Sequence, residues 1–446
     1  MIGYSPEQNQ KSLFQPLLKE FIDVNHELVL LSQKIDWRLL ENEFTLLYSK
    51  TGAPAKPIRL MVGLLILKQV YNLGDETVIP MWISNPYMQY FCGEAHFQWK
   101  MPCDPSDLVH FRKRLGAKGI EKILAQSISI HGASAQSDEI CIDTTAQEKN
   151  ITYPTDVKLH IKIIEGCQKI ASKENIIQRQ SYRRITKKLL LQNRFAHHPT
   201  KRKLAKKAQR KIKTIAGRVV RELERKLSEE IIKGYQQPLA IYKQVLKQNR
   251  HDSNKIYSLH EPDVACIAKG KIAKPFEFGS KICLAITKHS NIIVGTLNFT
   301  GNPHDNKTLE SILDQHERLT GKRAKAAIVD RGFRGKKIFN GTKIILPDNG
   351  SNKSNYEKRK SSIQFRRRAA IEPIISHVKH KHRMIRNYLK GIQGDQINSM
   401  MAAAAFNFKS WLNKASQFFL SLINFQLYHP IALYITLKIE YRVLKD

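Results

Sequence analysis

The chain has 446 residues, 42% hydrophobic and 25% charged, enough to bury a substantial core and to form two or three domains. Its 74 Lys and Arg against 39 Asp and Glu give a formal charge of +35, a self-repulsion best explained by a polyanionic partner, nucleic acid first. Six cysteines with no CxxC or Cys-His pairing argue against a disulfide framework and structural zinc, and for a reducing, cytosolic compartment.

Residues 1 to about 135 read as helices. "PIRLMVGLLILKQVY" starts at Pro57 and carries a broad apolar face, "NLGD" breaks it, and "DPSDLVHFRKRLG" opens with a capping pattern at Asp104 to Asp107. The N-terminus lacks the basic start and apolar run of a signal peptide. Short helices joined by Gly- and Asn-containing turns suit either a helix-turn-helix-like bundle or a plain dimerisation or docking module.

"DEICIDTT" then reads as a strand ending in a carboxylate, Asp143. From residue 167 to 250 the text turns basic and helical, with 24 Lys and Arg against 5 Asp and Glu. A solvated helical face would interleave Glu at i,i+4 to relieve that repulsion, so a clamp on the DNA backbone is the better reading. An anionic membrane surface would need aromatics that these segments lack.

After residue 251 the pattern becomes strands. "KPFEFGSKICLAITKHSNIIVGTLNFTG" supplies two or three, with turns expected at Gly279 and at His289 to Asn291. "NPHDNKTLESILDQHERLTG" is a helix closed by Gly321. "AKAAIVDRGF" is a strand that runs out at Asp330, "KIILPD" a short strand, and a helix containing Glu372 follows. The apolar run at residues 417–439 contains Asn, Gln, His and Pro, so it reads as a docking helix or loose tail and not as a membrane span. The class is mixed α/β interrupted by a basic helical insertion.

Asp143 and Asp330 lie where apolar strands end, the place from which ligand-binding side chains project in open α/β sheets. Taken singly, either is better explained as a turn or cap residue. Phe365, Arg368, Glu372, Ile375 and Lys379 recur at three- and four-residue spacing, so one continuous helix would put them on one face. Such a face offers a carboxylate bracketed by two cations. Three carboxylates beside basic surface could hold hard divalent ions for phosphoryl transfer. Asp305 reads as a helix N-cap and Asp348 as a turn residue. His377, His380 and His382 read as phosphate contacts or surface residues.

The helix text R-x3-E-x6-K (Arg368, Glu372, Lys379) resembles the signature of DDE transposases of bacterial insertion sequences. "DTTAQEKNITYPTD", "SLHEPD", "KPFEFG" and "VDRGFRG", with "IRLMVGLLILKQVYNL" and "NPYMQYFCGE" earlier, resemble the insertion-sequence-five family. Phe365 stands where that family's Y-x2-R-x3-E-x6-K pattern has Tyr. The likeness runs from about residue 15 to about 412.

It implies an α/β fold with an RNase H-like mixed sheet, organised as a helical N-terminal domain (1–135), a first core segment (136–165), a basic helical insertion (166–250), a second core segment (251–412) and a C-terminal tail (413–446). It implies Asp143, Asp330 and Glu372 as catalytic metal ligands for Mg²⁺ (or Mn²⁺), and Arg368 and Lys379 as DNA contacts. The partners implied are double-stranded DNA (terminal inverted repeats and target) and a second protomer, in a cytoplasmic, nucleoid-associated setting without a membrane. An impaired transposase acting as a DNA-binding repressor is the alternative.

Overall fold

The structure is a computed structural model that describes residues 15–414 except 50, 53, 250, 271, 273 and 348–353, and omits the side chains of 360 and 361. Asp348 and the apolar run at 417–439 lie outside the described residues. The N-terminal part is helical: α1 (Leu18–Phe21), α2 (Glu27–Lys34), α3 (Trp37–Thr45), α4 (Ile58–Val70), α5 (Asp75–Ser84), α6 (Pro86–Phe91) and α7 (Pro105–Ser129). Pro57 precedes α4 as expected, but that helix is buried on nearly every side, so it forms the centre of the domain and not one wall of it. The Asp104–Asp107 capping box is present, with Asp107 accepting the Asp104 amide at 3.0 Å and Asp104 accepting the Ser106 amide at 2.8 Å.

Strand β1 (Glu139–Lys149) follows, then the basic helices α8 (Asp156–Lys173), α9 (Arg183–Asn193), α10 (Arg202–Lys226) and α11 (Glu229–Lys247). The chain returns through β2 (Ala265–Ala268), β3 (Phe276–Thr287), β4 (Ile293–Phe299), α12 (Leu309–Thr320), β5 (Ala326–Ile328), β6 (Ile338–Phe339) and β7 (Thr342–Ile345). Last come α13 (Asn355–Arg368), α14 (Ile371–Lys381), β8 (Arg386–Asn387) and a helical stretch over residues 391–414.

The sheet is mixed and β1 is its axis. Strand β3 runs antiparallel along one edge of β1, from Ile140↔Thr287 to Glu148↔Gly279. Strand β5 runs parallel along the other edge, from Glu139↔Ala326 to Cys141↔Ile328. Beyond β5 lie β7 and then β6, while β2 and β4 share the far edge of β3. The RNase H-like mixed sheet is therefore present, joined to a helical N-terminal region.

Gly279 is not a turn. It sits inside β3, where an added Cβ would lie 1.8 Å from the Gln147 carbonyl oxygen. The glycine is there so that the two backbones can approach. The turn expected between β3 and β4 is in place, with Asn291 in the left-handed region.

Among the described residues two hydrophobic cores form. The larger joins the N-terminal helices to the sheet, to α12 and α14 and to the 391–414 helix. The second belongs to α8–α11 and runs in sequence from Val157 to Ile256. Helix α10 shows why these basic residues fold: Ala205, Ala208, Ile212, Ile215, Val219 and Leu223 form its buried stripe, and Arg202, Lys203, Lys206, Lys207, Arg210 and Lys211 stand exposed. Helix α8 is continuous from Asp156, so the boundary expected at 165/166 falls within it. No described helix is long and apolar enough to cross a membrane.

A polar seam locks the N-terminal domain to the end of α14. Gln69 Nε2 donates to the His382 carbonyl at 2.7 Å, and the His382 ring pairs with the Gln69 carbonyl at 3.2 Å. His382 is buried, and burial pushes its pKa down to about 4. It is thus a neutral core residue; His377 and His380 alone are exposed. Beneath the seam, Asp75 accepts two bonds from Arg112 at 2.7 and 2.6 Å and meets Lys68 Nζ at 2.8 Å. Both cations are buried. Removing their shared carboxylate leaves buried charge uncompensated, so Asp75→Asn is expected to lower the unfolding free energy by about 3–5 kcal/mol in urea titrations. A loss under about 1 kcal/mol would show that the triad is hydrated like a surface pair.

Candidate active site

Asp143 does not end its strand as expected: β3 goes on pairing with β1 as far as Glu148, so Asp143 lies in the middle of β1, with its side chain 16% exposed. Its Oδ1 accepts the Thr144 amide at 2.7 Å. Continuing the parallel register past the last pair, Cys141↔Ile328, sets Asp330 level with Asp143. Asp330 leaves β5 into a 3-10 turn (Arg331–Phe333), and its Oδ1 accepts the Gly332 amide at 2.8 Å. The turn reading of this residue holds locally, and Phe333, fully buried, anchors the loop.

Glu372 does not sit on one unbroken helix with Phe365 and Arg368. Helix α13 ends at Arg368, and α14 begins at Ile371. Pro373 explains the break, since its ring would clash with the Ala369 carbonyl and it has no amide to donate. The chain turns instead at Ala369–Ala370, with the Glu372 amide reaching the Ala369 carbonyl at 3.2 Å. Ile371, Ile374 and Val378 bury α14 against the core, which leaves the Glu372 side chain 69% exposed. Phe365 still packs against the core, and Lys379 is half-buried two turns beyond Glu372.

The turn places Arg368 between the carboxylates. Its Nη1 is 3.6 Å from Asp143 Oδ2 and its Nη2 4.0 Å from Glu372 Oε1, with the side chain 16% exposed. Those separations are ionic contacts without hydrogen-bond geometry, and Nη1 is buried with no hydrogen-bond partner among the described residues. Among the described residues, no three carboxylates, imidazoles or thiols converge closely enough to hold an ion. The donor chemistry nevertheless suits a hard divalent cation: oxygen ligands, one of them buried and beside a second carboxylate. The buried guanidinium nitrogen without a partner shows that the existing counter-ion is imperfectly satisfied.

Sequence reasoning misplaced one residue here. Asp305 opens a 3-10 turn (Asp305–Thr308) before α12, and its side chain does not cap it. Oδ1 instead accepts the Thr144 hydroxyl at 2.9 Å and the Lys281 ammonium at 3.0 Å. The local text "PHDN" reads as a cap, and nothing in it names partners on β1 and β3.

Burial pushes the Asp143 carboxyl up to about 6, against the Thr144 amide and Arg368, which lower it; Asp330 and Asp305 add to the rise. A raised carboxyl contributes stability that is full below the ordinary carboxylate value and is lost as pH climbs through about 6. In EDTA, wild type should therefore lose stability relative to Asp143→Asn between pH 4 and pH 7, by at most about 3 kcal/mol. Melting curves of both proteins across that range check it, and a pH-independent difference would refute it.

Comparison with known proteins agrees with this architecture. Residues 16–114 match the family described as Transposase domain (DUF772), and residues 242–408 match the Transposase DDE domain. An uncharacterized protein, ORF8 in the nfe locus of Rhizobium meliloti, is 37% identical over 198 residues, which covers 43% of this chain and 96% of that protein. No solved structure matches. With a helical transposase domain followed by a DDE domain on an RNase H-like sheet, the chain belongs to the DDE transposases.

Proposed function

We propose that this transposase, of the insertion-sequence-five type, cuts DNA at the ends of its element and joins the freed 3′-hydroxyl to target DNA. The observation that carries the reading is the sheet register that sets Asp330 level with Asp143, with Arg368 reaching from Asp143 toward Glu372. Members of this family normally work with a divalent metal. Asp143, Asp330 and Glu372 are the residues that would hold it, as Mg²⁺ or Mn²⁺. When bound, such an ion activates an attacking oxygen and stabilises a leaving one.

The chain's own groups do the rest. At neutral pH Asp143 is mostly ionised despite its burial, with Arg368 as its nearest cation. Arg368 and Lys379 would hold a strand's phosphates, Arg368 through its planar fork beside Asp143 and Glu372 and Lys379 as a point charge further along α14. Glu372, exposed at the start of α14, can reach substrate without moving the core. The exposed face of α10 clamps the DNA backbone away from the sheet, in a sequence-independent and salt-sensitive manner. Two protomers would bring two ends together in the nucleoid.

A substrate carrying the element's own ends tests the reading. Asp143→Asn should lower strand cleavage more than about a hundredfold while end binding persists, and EDTA should abolish cleavage by wild type. Cleavage that survives in Asp143→Asn would sink the assignment. Binding with no cleavage in any protein would favour the repressor alternative.

A further inference from the structure

Asp143 on β1 and Asp330 just past the end of β5 are each oriented by a backbone amide, Asp143 by Thr144 and Asp330 by Gly332. A third carboxylate touches both of the residues that supply those amides. Asp305 Oδ1 accepts the Thr144 hydroxyl at 2.9 Å. Asp305 Oδ2 lies so close to Gly332 that a Cβ there would be 2.6 Å from it, and 3.1 Å from Asp330 Oδ1. The Asp305 side chain is itself fixed by Lys281 Nζ at 3.0 Å, and the same ammonium donates to the Pro303 carbonyl at 2.6 Å. One residue on, Asn306 Nδ2 donates to the Arg334 carbonyl at 3.2 Å, which ties this turn to the loop after Asp330.

We infer that Asp305, charge-balanced by Lys281, is a positioning residue that holds the Asp143 strand and the Asp330 loop in one geometry. The inference rests on the proposed roles of Asp143 and Asp330. Thr144 projects on the face of β1 shared with its partner Cys283 and, two pairs along, with Lys281, opposite to the Asp143 side chain. Asp305 thus acts through the sheet: it grips the residue whose amide binds Asp143 without entering the space beside Arg368. Lys281 offsets its charge, which limits the repulsion that a third carboxylate adds to the pair. Gly332 is the other half of the device, because only a residue without a side chain lets Asp305 lie against the Asp330 loop.

The test uses the full chain and free Mn²⁺ as the probe, with electron paramagnetic resonance reporting the unbound ion. Asp305→Asn keeps the shape and removes the charge paired with Lys281. Thr144→Val removes the hydroxyl alone and serves if the first variant fails to fold. Both should raise the Mn²⁺ concentration for half-maximal binding about tenfold or more. The concentration for half-maximal cleavage should rise in parallel, and cleavage should recover toward wild type at saturating Mn²⁺. A residue that merely supports the fold would lower the melting temperature and leave Mn²⁺ affinity unchanged.

Wild-type affinity in Asp305→Asn, with affinity lost in Asp143→Asn, overturns the inference alone. Weakening in Asp305→Asn with no change in Thr144→Val would make Asp305 a ligand in its own right and also overturns it. Unchanged affinity in Asp143→Asn would instead overturn the proposed function, and this inference with it.

Discussion

The cost of ionising Asp143 inside the sheet is the constraint around which the site is built. A carboxylate in the middle of a strand, paired with β3 along one edge and mostly buried, is held above its ordinary pKa even with a guanidinium beside it. Placing Asp330 just past the end of the neighbouring β5 makes the problem worse, since like charges close together oppose each other's ionisation. The remaining elements answer that cost. Thr144 supplies an amide, and the end of α13 supplies a guanidinium whose Nη1 lies 3.6 Å away with no hydrogen-bond partner among the described residues. An arrangement that attracts a cation and satisfies its resident one only in part suits divalent-metal chemistry better than a structural ion pair would.

The break between α13 and α14 gives this arrangement its form. On an unbroken helix, Arg368 and Glu372 would be ordinary i,i+4 neighbours on a surface stripe. With the chain turning at Ala369–Ala370, α14 packs through Ile371, Ile374 and Val378, Arg368 points back toward Asp143, and Glu372 stays exposed. The far end of α14 is held by the His382–Gln69 pair and by Asn72, whose Nδ2 donates to the His380 carbonyl at 3.3 Å. The N-terminal domain therefore braces the helix that carries Glu372.

What was legible in the sequence follows the range of the interactions. The capping box at Asp104–Asp107, the left-handed Gly321 that ends α12 and the strand that runs out before Asp330 are local, and the text shows them. Strand β1, by contrast, continues past Asp143 because the distant β3 pairs with it as far as Glu148. The single helical stripe through Glu372 was read from periodicity alone, although Pro373, one residue further, carried the contrary signal. Gly279, Asp305 and His382 were misread for a different reason. Their roles depend on Gln147, Thr144 and Gln69, which are far away in sequence, so no local window could give them. The R-x3-E-x6-K text pairs Arg368 with Glu372, which the structure keeps 4.0 Å apart, while hiding the turn between them.

The charge distribution divides labour along the same line as the two cores. Residues 167–250 hold a surplus of 19 positive charges, 24 against 5, and that segment lies within the stretch that closes a core of its own, so its cations can crowd one exposed face without straining the sheet. On the proposed reading, affinity for the DNA backbone resides there and depends on salt, as counterion release requires. On the same reading, chemistry resides where the electrostatics are reversed, at carboxylates that would repel a phosphate on their own. Arg368 joins the two demands, because it is the cation nearest to Asp143 and also a fork fitted to a phosphate. A lysine there could balance the charge but could not present two parallel donors, and this distinguishes Arg368 from the lysines that dominate the clamp.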